Sequence, residues 1–126
     1  MEGLLIAAQL FIAVAMYDVW WFRHDKPQRA RGGDARTMAE EFRVYGLPDW
    51  LRNLVRVLKL TCGTLMIVGV WVPIAAFIGG AGLVILMGGA IAMHAKVSDP
   101  LYKFLPATTF FLLSCWVVYA RWPVAA

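Results

Sequence analysis

Five side chains stand out because their types are costly where the sequence places them: Asp18, Arg56, Lys59, His94 and Asp99. An acid and two bases at or inside long apolar runs could form an ion pair, hold a charged ligand or donate a hydrogen bond to a carbonyl. Lys59 is the most demanding. It lies nine residues beyond Trp50, about 13–14 Å along a helix. A lysine near the centre of a bilayer costs roughly 2.5–3.5 kcal/mol, so a partner or a wet cavity must offset it. Asp18 stands four residues before Phe22 and enters from the same side. Helical spacing places Ala8, Phe11, Ala15 and Asp18 on one face of the first segment. It places Arg52, Arg56, Lys59, Gly63 and Met66 on one face of the second. Small residues on both faces point them towards other helices. The expectation is an interior polar site in which Asp18 pairs with Lys59 or Arg56 and His94 closes the end. The alternative is a buried ion pair that fixes helix register and binds nothing.

His94 and Asp99 belong to "IAMHAKVSDPLYKFLPA", residues 91–107, where Lys96, Lys103, Pro100 and Pro106 also fall. The first explanation is a turn. His94 and Lys96 finish one helix, where cations suit the dipole. Ser98 or Asp99 caps the next, and Pro100 takes its first position. Pro106 removes the hydrogen bond to the Tyr102 carbonyl and should kink the helix. That opens space near Asp18, Arg56 and Lys59, so the turn forms one wall of a polar pocket. No catalytic residue is expected, because no nucleophile–base pairing, phosphate loop or zinc spacing occurs. His94 has no second histidine or acid at ligand spacing, and His24 falls in a charged loop, so no metal site is expected. Cys62 and Cys115 form no CxxC and read as inert buried thiols rather than a thiol pair.

The elements that must position these groups follow from apolar length. The 126 residues are 61% hydrophobic, against about 45–50% in a soluble domain. Residues 60–93 carry no charge, about 50 Å of helix, too long for one crossing of a core of roughly 30 Å. The expected fold is an all-α membrane protein, a single four-helix transmembrane domain over 1–126 with helices at about 3–22, 50–71, 73–94 and 100–122. "MEGLL" lacks the basic region of a signal peptide. The connector 23–49 is charged. Thr37 and Glu40 fit a capping box, and Met38, Phe42 and Tyr45 form one apolar stripe. An amphipathic helix over about 37–45 therefore lies on the membrane or caps the bundle, or is a solvated loop helix. In the third segment, Ala75, Gly79, Gly82, Leu86, Gly89 and Met93 share a mostly small face, and Ala76 and Gly80 form a second small pair. These faces serve tight packing within the bundle, or a homo-oligomer or partner contact.

Ten of the 12 Lys and Arg residues lie on or near one side: Arg23, Lys26, Arg29, Arg31, Arg36, Arg43, Arg52, Arg56, Lys96 and Lys103. Positive charge stays cytoplasmic. The connectors 23–49 and 95–99 are therefore expected in the cytoplasm and both termini outside. The same bias explains the net charge of +4, which is no signal for nucleic acid; anionic lipid is the natural neighbour.

With these residues in place, the chain resembles the DoxX-like family of small four-helix membrane proteins. The resemblance rests on "YGLPDWL", "VLKLTCGTLMIVGVWVP", the short hairpin after it, and "HAKVSDPLYKFLPA". The family pattern often has a basic residue late in the first segment and an acid early in the second. Here Asp18 and Lys59 exchange those signs. The resemblance implies a multi-pass protein, expected in a bacterial inner membrane, and mixed functions. Some members resemble a subunit of a thiosulfate:quinone oxidoreductase. A eukaryotic branch, similar over "DPLYKFLPATTFFLLSCWVVYARWP", includes an assembly chaperone for nicotinic acetylcholine receptors. Two functions are therefore expected. The first is a non-enzymatic accessory protein that binds a membrane protein partner or a hydrophobic small molecule, with no cofactor. The second is a quinone-interacting subunit in which Lys59 or His94 donates to a quinone carbonyl.

Overall fold

The computed structural model describes residues 2–23, 25–26 and 31–123. His24 and Arg29, named in the charged connector, lie outside the described residues. Among the described residues five α-helices follow in order: α1 (Glu2–Tyr17), α2 (Met38–Tyr45), α3 (Asp49–Val68), α4 (Pro73–Lys96) and α5 (Leu101–Ala120). A π-helical turn, Asp18–Phe22, continues α1. No strand occurs among the described residues.

Local chemistry sets most of the ends. Thr37 caps α2, its hydroxyl accepting from the Glu40 amide while the Glu40 carboxylate accepts from the Thr37 amide. Gly46 closes α2 at φ 79°, a conformation that costs a residue with a Cβ. Pro73 takes the first turn of α4, where its missing amide is not needed.

α4 packs along both α3 and α5, and α1 packs against α3 and α5. Leu5, Ile12, Met16, Met66, Leu83, Met87 and Val117 fill the space between them. The small residues of α4 serve this packing. A Cβ on Gly79 would stand 2.9 Å from the Cys62 carbonyl of α3, and one on Gly80 would stand 3.1 Å from Val118 of α5. Gly89 differs: it is exposed, and a Cβ there meets nothing within 4 Å.

Among the described residues, three stretches are long and apolar enough to cross a membrane: Glu2–Phe22, Pro73–Lys96 and Leu101–Ala120. α3 matches α5 in length, but Asp49, Arg52, Arg56 and Lys59 keep it out of that group. Length and apolarity thus support three crossings where the sequence pattern suggested four. Leu4, Val14, Ile85, Leu101 and Leu112 are exposed, and apolar surface of this kind is compatible with lipid contact.

The inward face of α1 also departs from expectation. Leu5, Ala8, Gln9, Ile12, Ala13 and Met16 are buried, whereas Phe11 is 54% exposed. The face Ala8–Phe11–Ala15–Asp18 is therefore rotated towards the rim. The α3 face holds: Lys59, Gly63 and Met66 are buried and Arg52 and Arg56 are half-buried.

Candidate functional site

The π turn decides where the charges at the end of α1 go. Its wider winding brings Arg23 over Asp18, five residues earlier, with the Arg23 amide on the Asp18 carbonyl at 2.7 Å. The two side chains then pair: Arg23 Nη2 lies 2.6 Å from Asp18 Oδ2 and Nε lies 3.0 Å from Oδ1. Both side chains are substantially exposed. Asp18 therefore does not meet Lys59 or Arg56, and the expected pair is replaced by a local one. Trp20 is the residue of this turn that points inward.

Arg56 uses Trp20 and Trp21 instead of an acid. Its Nε donates to the Trp20 carbonyl at 2.9 Å, and its guanidinium sits 5.4 Å from the Trp21 ring centre. Lys59 is buried, only 6% exposed, with its ammonium 4.6 Å from the Trp20 ring centre. A cation over an indole face is attracted by the ring quadrupole, by about 2 kcal/mol when desolvated. No carboxylate pairs with Lys59 among the described residues.

His94 and Asp99 form the second cluster. His94 Nδ1 and Asp99 Oδ2 are 2.7 Å apart, and the Gly33 amide donates to Asp99 Oδ1 at 2.9 Å. Lys103 Nζ donates to the Gly33 carbonyl, and Lys96 Nζ donates to the Tyr45 carbonyl at 2.7 Å. Gly33 has φ +55°, and a Cβ there would also run into Val44. The turn between α4 and α5 thus clasps the segment that carries α2. This corrects the capping expectation. The Asp99 carboxylate is taken by His94 and Gly33, so Pro100 stands at the N-cap instead of the first helical position, and α5 starts at Leu101 without a side-chain cap. Burial would raise the Asp99 pKa, but the bonds from His94 and Gly33, with the charges of His94 and Lys103, hold it below its ordinary value.

α2 turns its stripe inward. Met38, Phe42 and Tyr45 are buried, with the Phe42 ring edge-on to Trp20 at 6.2 Å between centres. Tyr45 donates its hydroxyl to Glu41 Oε1 at 2.7 Å, and Glu41 Oε2 lies 3.7 Å from Arg31 Nη1. Burial, then the neighbouring Glu41 carboxylate, pushes the Tyr45 hydroxyl well above its ordinary pKa.

Beneath α2 lies a cavity of about 360 Å³, within the range of small-molecule sites. Its apolar wall includes Met16, Val19, Phe42, Val55, Leu86 and Phe110. Its polar groups come from Arg31, Glu41, Tyr45, Lys59, His94 and Lys103. Pro106 and Ala107 of α5 complete one side; α5 runs through Pro106 as one continuous helix. Of the five candidate residues, Lys59 and His94 line this cavity. Asp99 stands behind His94, while Asp18 and Arg56 lie outside the wall. Trp20, Arg31, Glu41 and Tyr45 were not singled out as site residues. They sit in a charged connector or an aromatic girdle, where the sequence pattern alone reads as boundary chemistry. Gln9 was also missed. It is fully buried at the other end, donating to the Met66 carbonyl at 3.1 Å and accepting from Arg121 at 2.9 Å. Its position as the lone amide in the first apolar run is the available signal.

Apolar helices of membrane-spanning length around a half-open, partly charged cavity of small-molecule size define an integral membrane protein. Residues 30–118 match the model of the DoxX-like family. The match covers most of the chain, which therefore belongs to the DoxX-like family. Comparison with curated proteins and with solved structures found no match.

Proposed function

We propose that this chain is a non-enzymatic accessory protein with four crossings, α1, α3, α4 and α5, that receives a hydrophobic small molecule beneath α2 on behalf of a membrane protein partner. The observation that carries the reading is the cavity: apolar over most of its wall, roofed by an amphipathic helix and lined by two buried cations, Arg31 and Lys59. The crossing by α3 is supported by its two faces. Leu54, Val57, Leu58, Ile67 and Val68 are exposed, while Arg56 and Lys59 turn towards the other helices. In lipid, the cost of these charges falls when they face the bundle interior. The connector 23–49 and the α4–α5 turn then share the cytoplasmic side, consistent with the positive-inside bias.

The test is purification in mild non-ionic detergent with mass spectrometry of co-purifying material. A small molecule present at stoichiometric level and lost on Gly89→Trp, which fills open space at the cavity wall, supports the reading. The same small-molecule content in wild type and variant overturns it. A reporter at either terminus tests the orientation, and a cytoplasmic terminus refutes it. One observation supports a second reading. Lys59 and His94 both line the cavity, so a quinone carbonyl would find a donor there. A quinone chromophore that disappears on Lys59→Met would favour a quinone-interacting subunit of an oxidoreductase.

A further inference from the structure

We infer that the cavity beneath α2 is selective for an amphiphile with an anionic head and a single apolar chain, the head seated on the Lys59 ammonium. The inference rests on the proposal that the cavity is a binding site and adds the ligand's chemical class.

Charge is the first argument. The cavity wall holds Arg31, Lys59 and Lys103 as cations and Glu41 as its acid. Glu41 is engaged by Arg31 and the Tyr45 hydroxyl. Asp99 faces the second cluster, 2.7 Å from His94 and 3.9 Å from Lys103. Asp18 is held by Arg23. Each nearby carboxylate therefore has a closer partner than Lys59, whose ammonium, among the described residues, lies over the Trp20 indole face and feels the Glu41 charge without forming an ion pair with it. A buried cation is stabilised by an anion in hydrogen-bond reach far more than by a neutral carbonyl, because the low local dielectric strengthens the charge pairing.

Shape is the second argument. At about 360 Å³ the cavity is near the small end of ligand sites and has room for one chain rather than two. Met16, Val19, Val55, Leu86 and Phe110 supply an apolar wall for that chain. Access is the third. Ile85, Gly89 and Pro106 are exposed residues of the wall, which brings the cavity to the outer surface of the helices. An amphiphile resident in the bilayer could enter there without crossing water.

The anion could be a carboxylate or a phosphate monoester, and the assay separates them. The protein is placed in phosphatidylcholine nanodiscs and titrated with dodecanoate, dodecyl phosphate, dodecanol and dodecyltrimethylammonium. Binding is counted by native mass spectrometry for wild type, Lys59→Met, Lys59→Arg and Gly89→Trp. Partition into lipid is common to all four proteins and cancels in the comparison. The expected result is one anionic amphiphile per chain, bound at least tenfold more tightly than dodecanol. That preference should vanish in Lys59→Met and persist in Lys59→Arg. Whichever anion binds more tightly identifies the head group. Equal binding of anionic and neutral probes by wild type, or a preference that survives Lys59→Met, overturns the anion inference and leaves the cavity reading standing. No difference between wild type and Gly89→Trp for any probe overturns the cavity reading and the inference with it.

Discussion

Replacing Asp99 with alanine should undock the segment that carries α2. The Asp99 side chain is 3% exposed and holds the Gly33 amide at 2.9 Å and His94 Nδ1 at 2.7 Å. Hydrogen bonds to a charged group contribute about 1.5–3 kcal/mol each, so two amount to about 3–6 kcal/mol. Water can reach the turn once the carboxylate is gone, because the flanking Ser98 and Pro100 are exposed. That lowers the expected cost to about 2–4 kcal/mol, still enough to raise the population of the undocked segment about 30- to 700-fold. Hydrogen exchange read by mass spectrometry on peptides covering 31–46 measures this directly, with the middle of α5 as an internal reference. Asp99→Asn keeps an acceptor without the charge and should show about half the free-energy loss. Faster exchange at Gly33 and α2 with α5 unchanged is the expected pattern. Unchanged exchange over 31–46 in Asp99→Ala would refute the clasp, because the carboxylate's bonds to Gly33 and His94 would then contribute nothing.

Four further outcomes follow from the geometry. The folded pKa of Asp99 lies below its ordinary 3.8; its contribution is therefore complete above that value and lost as pH falls through the lower folded one, so exchange over 31–46 should accelerate only below about pH 4. Asp18→Asn and Lys59→Met should show additive effects on thermal stability, within about 0.5 kcal/mol, because the two residues share no contact; a coupling above about 1 kcal/mol would restore the abandoned pair. Gly79→Val should destabilise by about 1–3 kcal/mol through collision with the α3 backbone, whereas Gly89→Ala should change the melting temperature little, since its Cβ meets nothing within 4 Å. Gln9→Ala should cost about 1–3 kcal/mol by leaving the Met66 carbonyl and Arg121 without their buried partner; a melting temperature equal to wild type would contradict that.

How far the sequence carries the argument depends on the range of each interaction. The capping box at Thr37 and Glu40, the Gly46 stop, the proline start of α4 and the apolar stripe of α2 all act within a few residues, so residue type and spacing were sufficient. The buried α3 face of Lys59, Gly63 and Met66 followed from helical period alone. The small faces of α4 were legible as close-packing surfaces, but only the fold shows that Gly79 meets α3 and Gly80 meets α5.

The partners of the charged residues were a tertiary matter. The π turn cannot be seen in "DVWWF", yet its one-residue change in winding sends Asp18 to Arg23 and leaves its indole, Trp20, to Lys59. Asp99 reads locally as a helix cap, but a folded neighbour, Gly33, 66 residues away competes for the same carboxylate and holds it. Apolar length and periodicity are sums over neighbouring residues, so the chain by itself determined that helices form and that they suit lipid. Which charges meet depends on rotations of a fraction of a helical turn and on contacts between distant segments. The cavity, its roof and the ammonium set over the Trp20 ring inside it were therefore decided only when the helices packed.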